Sequence, residues 1–115
     1  MSRPYEQTLT FEAVGATVQS KSINLLAGTL KAITVVAIDA TGVMVNDALI
    51  TVKNPAKQPV IDELTPSRAN HDPRNNYMLE YEMEVANNDS WTVATKCVAS
   101  TAVTVMVTFT EIIPT

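Results

Sequence analysis

His71 and Asp72 stand side by side between Thr65 and Asn76, a stretch that also holds Arg68 and Arg74. A histidine next to a carboxylate suits general-base catalysis when a nucleophile converges on it. No Gly-x-Ser-x-Gly elbow or similar nucleophile motif occurs here, so the pair reads as exposed loop residues. Glu80, Glu82 and Glu84 occupy alternate positions, which sets them about 6.6 Å apart along one strand face. Glycosidases use carboxylates at such separations, but one must be buried and the cleft lined with aromatics. Aromatic residues make up only 5% of the chain, so the row reads as a solvated face, with docking on a basic partner surface as the alternative.

Metal chemistry finds no better footing. One histidine and one cysteine cannot close a zinc tetrahedron. Asp39, Asp47, Asn87, Asn88 and Asp89 could offer oxygens to calcium, yet they lack EF-hand spacing, and turns account for them. Cys97 shares an alternating frame with Trp91, Val93 and Thr95, which makes it an expected core residue and leaves no intramolecular disulfide. Asn88-Asp89-Ser90 matches a glycosylation sequon, for which a turn is sufficient explanation. No catalytic residue, metal ligand or cofactor is expected, and the chain reads as non-enzymatic.

The elements around these residues follow a period of two. Tyr5 to Val14 sets Tyr5, Leu9, Phe11 and Ala13 against Glu6, Thr8, Thr10 and Glu12. Thr17 to Leu26 is a weaker segment, with Asn24 to Ala27 open to a helical turn ended by Gly28. Leu30 to Asp39 is apolar on both faces and predicts a central strand covered on both sides. Val43 to Val45 leads into Ala48 to Lys53, which Asn54-Pro55 ends. Val60 to Leu64, between Pro59 and Pro66, predicts an edge strand. Tyr77 to Val85, Ser90 to Ala99 and Ala102 to Ile113 alternate in turn. Short strands at this spacing without a helix predict an all-β, single-domain antiparallel β-sandwich over residues 1–115, jelly-roll-like at eight strands. An immunoglobulin-like sandwich is the alternative at seven. Phe11, Val35, Ile38, Leu79, Tyr81, Trp91, Val93, Val105, Val107 and Phe109 are the expected core.

Composition narrows the partners. Charged residues are 17% of the 115, against roughly 25% in typical soluble domains. Threonine fills the deficit, which suits sheets and coverage by another subunit. The net charge is −4, and the eight basic residues form no cluster, so nucleic acid is not an expected ligand. The N-terminus lacks the apolar segment of a signal peptide, and the longest apolar run, Ala32 to Ile38, is too short to span a bilayer. Synthesis in a host cytoplasm and no membrane partner are the expectations.

The segment Asn88 to Glu111, with its Thr/Val-rich closing strand, resembles the jelly-roll accessory proteins of bacteriophage particles: decoration (cement), vertex and spike proteins. That resemblance implies oligomerisation, docking on a capsid shell and a place in the virion. Ile33 to Val52, with Asp39-Ala40-Thr41-Gly42, is similar to bacterial immunoglobulin-like domains, which implies an adhesion or carbohydrate-binding module instead. Neither family transfers functional residues. Two partner-binding regions are expected from the residues themselves. One is the loop with Arg68, His71 and Arg74, whose cations stand out on an acidic chain. The other is the uncharged strand face Thr104, Met106, Thr108 and Thr110, which as an open edge would need a cover.

Overall fold

The computed structural model describes residues 2–13, 18–46, 48–65, 78–86, 89–97 and 102–114. Eight strands form: β1 (Ser2–Ala13), β2 (Val18–Leu25), β3 (Gly28–Asp39), β4 (Ala48–Lys53), β5 (Pro59–Leu64), β6 (Met78–Val85), β7 (Asp89–Cys97) and β8 (Val103–Pro114). They build two four-stranded antiparallel sheets, ordered β1-β8-β3-β6 and β2-β7-β4-β5. Each strand pairs with its counterpart numbered from the other end, β1 with β8 through to β4 with β5. The chain is thus one long hairpin rolled over on itself. This is the order of a jelly roll and not of an immunoglobulin sandwich.

Period two decides what lies between the sheets. On β8 the inward stripe is Val103, Val105, Val107, Phe109, Glu111 and Ile113, all buried. It meets Trp91, Val93, Thr95 and Cys97 of β7, with Phe11, Ile33, Val35, Ile50 and Val52 filling in. Trp91 and Phe109 pack edge to face at 6.1 Å between centroids. Of the expected core, Ile38 is the exception. It lies three residues from buried Val35, and an odd separation on one strand puts two side chains on opposite faces. Leu79 and Tyr81 are expectations whose side chains lie outside the described residues.

Three further expectations need correction. Asn24 and Leu25 belong to strand β2, not to a helical turn. Val43 to Val45 makes only a bridge, Met44 beside Ile38, tied by Val45 N–H donating to the Ala37 carbonyl at 2.9 Å. The outer face of β3 carries half-buried Thr34, Val36 and Ile38, with no layer over it among the described residues. β5, by contrast, is an edge strand as expected.

Turn chemistry closes the loops where glycine is scarce. The Asp39 carboxylate accepts from Thr41 N (2.9 Å), Thr41 Oγ1 (2.7 Å) and Val43 N (3.0 Å). Those hydrogen bonds, the Thr41 hydroxyl first, hold its pKa below 3.8. Asn54 begins the β4–β5 turn, with its carbonyl accepting from Lys57 N at 2.9 Å and Lys57 in the left-handed region at φ 65°. Asp62 and Glu63 together oppose Thr51, a bulge in which Glu63 takes φ 50°. Gly28 is required for another reason: a Cβ there would lie 2.5 Å from the Ile112 carbonyl oxygen.

Candidate docking face

Three of the four edge strands, β1, β2 and β5, carry features that oppose strand addition. β1 and β2 are edge strands of different sheets, and side chains stitch them together. Lys21 Nζ donates to the Thr10 carbonyl, Gln19 Nε2 to the Glu12 carbonyl, and Gln7 Nε2 to the Asn24 carbonyl. Lys21 also sits 5.2 Å from the centre of the Phe11 ring. Three backbone acceptors that an added strand would use are therefore occupied. On the far side, β5 opens with Pro59 and carries the bulge at exposed Asp62 and Glu63, three devices that discourage strand addition.

The broad face of the β1-β8-β3-β6 sheet is different. Thr104, Met106, Thr108 and Thr110 share the outer side of β8 and are half-buried, as are Thr34, Val36 and Ile38 of β3. The register lines them up across the strands. Thr10, Met106 and Val36 form one row; Thr8, Thr108 and Thr34 form the next. Thr8 and Thr108 hydroxyls are 2.9 Å apart and hydrogen-bonded. Glu12, Thr104 and Ile38 make a third row, which half-exposed Met44 extends. The centre of this face carries hydroxyls, methyls and a thioether, and no charge.

β8 is not the open edge that its sequence suggested. β1 and β3 flank it on either side, so its backbone groups are spent within the sheet. What it presents is a flat side-chain surface, not a strand template. The four expected residues are brought together, and five that sequence reasoning passed over join them: Thr8, Thr10, Thr34, Val36 and Ile38. Alternation held the signal for Thr34, Val36 and Ile38, which a strand apolar on both faces conceals. Arg68, His71 and Arg74 lie outside the described residues.

The other outer face contrasts with this one. Exposed Ser20, Ser22 and Asn24 of β2 adjoin Ser90, Thr92, Ala94 and Lys96 of β7, with Lys53 on β4. It is a hydroxyl-rich surface bearing lysines, with exposed Val18 and half-buried Leu49 in the row of Lys96.

Potentially reactive groups sit apart from both faces. Cys97 is buried. Among the described residues, no group of three or more His, Cys, Asp or Glu side chains is placed to hold a metal ion. Glu111 is a carboxyl with no exposure, in the inward stripe of β8. Its Oε1 accepts from Leu26 N at 3.2 Å, while Oε2 has no hydrogen-bond partner. Burial raises its pKa above 4.5, with the Leu26 hydrogen bond opposing. The sequence frame Val103 to Phe109 already places Glu111 on this stripe, two residues on.

No family model matches the chain, and no curated protein sequence matches it. Solved structures do share its architecture. The cyanophage Pam1 capsid asymmetric unit contains a chain similar over 98% of this protein and 85% of its own length, at 14% identity and a TM-score of 0.59. A serine protease of Aeromonas sobria is similar over 96% of this chain at 10% identity and a TM-score of 0.52, but this chain spans only 27% of its length. PliG of Aeromonas hydrophila, a periplasmic inhibitor of g-type lysozyme, aligns over 95% of this chain at 13% identity and a TM-score of 0.47. Likeness at such identities concerns the fold: an all-β, two-sheet antiparallel sandwich.

Proposed function

We propose that the protein is a non-enzymatic structural component of a phage particle, docking on or cementing a protein shell through the outer face of the β1-β8-β3-β6 sheet. The observation that carries this reading is the uncharged patch centred on Met106 and Thr108, on a sheet whose β1 edge is partly capped by Gln19 and Lys21. Apolar, charge-poor centres mark protein interfaces. The fold shared with a cyanophage capsid chain agrees with that role. An adhesion or sugar-binding module would instead present exposed aromatics. Among the described residues Trp91, Phe11 and Phe109 are interior, and Tyr5 is half-buried beneath Arg3.

Gradient-purified particles of the virus that encodes the chain test this. The chain is expected to sediment with the shell in a fixed ratio to the major capsid protein. A chain that stays at the top of the gradient would overturn the proposal.

A further inference from the structure

We infer that the occupant of this face is a protein surface with the opposite edge charge, an uncharged centre flanked by lysines and arginines, and not a second copy of this chain. The inference rests on the docking reading above and adds the chemistry of the partner. Four strands at about 4.8 Å and up to a dozen residues at about 3.3 Å give a face of roughly 700 Å². Standard interfaces bury about 600–1,000 Å² per partner, so the whole face, acidic margins included, matches the smaller of them.

Among the described residues, the side chains that carry charge on both long margins of the patch are acidic. Glu6 and Glu12 line the β1 margin, exposed, opposite Thr110 and Thr104 of β8. Glu84 lies on the β6 margin, exposed, opposite Thr29. Thr110 Oγ1 donates to Glu6 at 3.0 Å and Thr29 Oγ1 to Glu84 at 3.4 Å. These hydroxyls orient the carboxylates but leave their charge uncancelled. Glu80 holds the register position opposite Ala32 on the same margin. The cation on β3, Lys31, is half-buried at the β-bulge and already engaged.

In the two simplest symmetric pairings, charge opposes the self-complex. In a face-to-face pair of identical sheets, the twofold axis lies in the plane between them. An axis along the strands lays the β1 margin of one copy over the β6 margin of the other. An axis across the strands lays each margin on itself. An acidic margin lies over an acidic margin either way, and like charges juxtaposed across an interface oppose binding. A basic-margined partner turns the same geometry into two rows of opposite-charge pairs.

The chain itself supplies a probe. A Glu6→Lys, Glu12→Lys, Glu84→Lys variant keeps the uncharged centre and reverses the margins. Parent and variant are each expected to run as monomers in light scattering at low salt, and an equimolar mixture as a heterodimer. The mixed species should weaken at least tenfold in 0.5 M salt and vanish when either member carries Met106→Lys. If the triple variant fails to melt cooperatively, Glu12→Lys with Glu84→Lys replaces it and spares the Thr110–Glu6 hydrogen bond. A mixture that stays monomeric overturns the inference, as does a parent that dimerises until Met106→Lys is introduced. A chain absent from particles would sink the docking reading and leave this mixing result standing. A failed mixture with the chain still on particles would sink only the charge assignment.

Discussion

The backbone N–H of Leu26, just past the end of β2, donates at 3.2 Å to a carboxyl oxygen of Glu111, which sits in the inward stripe of β8. This contact ties the β2–β3 connection to the centre of the opposite sheet. It leaves the second oxygen of Glu111 buried and unpartnered. The folded state therefore holds the Glu111 proton more tightly than the unfolded chain does. Stability from this group is full below pH 4.5 and is lost as pH rises through the raised folded value. Glu111→Gln, which keeps the acceptor for Leu26, should melt close to the parent at pH 4 and progressively above it toward pH 7. Parallel melting curves across that range would contradict the assignment.

Asp39 acts in the other direction. Its lowered pKa contributes stability above pH 3.8 that is lost as pH falls through the folded value. Asp39→Asn should flatten the acid limb of the stability profile below pH 3.8 and leave the window of Glu111 unchanged. Thermal melts from pH 2 to 4 check this.

Phe109→Ala removes the ring that meets Trp91 and should cost about 3–5 kcal/mol. For a chain of this size that lowers Tm by on the order of 15 °C or more. An unchanged Tm would place Phe109 outside the core.

Gly28→Ala drives a methyl group to 2.5 Å from the Ile112 carbonyl, against backbone that cannot rotate away. A loss of about 1–3 kcal/mol is expected. Gly42→Ala meets nothing within 4 Å and bears only the strain of φ +84°. Denaturant titration should rank Gly28→Ala as the more damaging of the two.

The inward stripe of β8 and its extension to Glu111 were legible in the sequence because alternation is strict there. The frame of β3 was not. A bulge between Leu30 and Ala32 shifts the pairing by one residue, so Leu30 and Ile33 both face inward. Lys31, which stands at the irregularity, carries no local mark of it. The apolar run with no polar face placed Ile38 in the core by expectation, although its odd separation from Val35 sets it on the outer face. The position of β8 between β1 and β3 was equally hidden. Strand order rests on pairings between distant segments, such as Thr8 with Thr108, which neither segment encodes alone.

The claim that the β1-β8-β3-β6 face docks on a shell is tested most directly by particle occupancy of two lysine variants. Thr108→Lys places a charge at the centre of the uncharged rows, while Ser22→Lys places one on the exposed serine surface of the other sheet. Both should fold, because surface substitutions usually change stability by only about 0.5 kcal/mol. Occupancy on purified particles should fall at least tenfold for Thr108→Lys and stay at the parental level for Ser22→Lys. Equal occupancy for the two variants, or loss only with Ser22→Lys, would contradict the account.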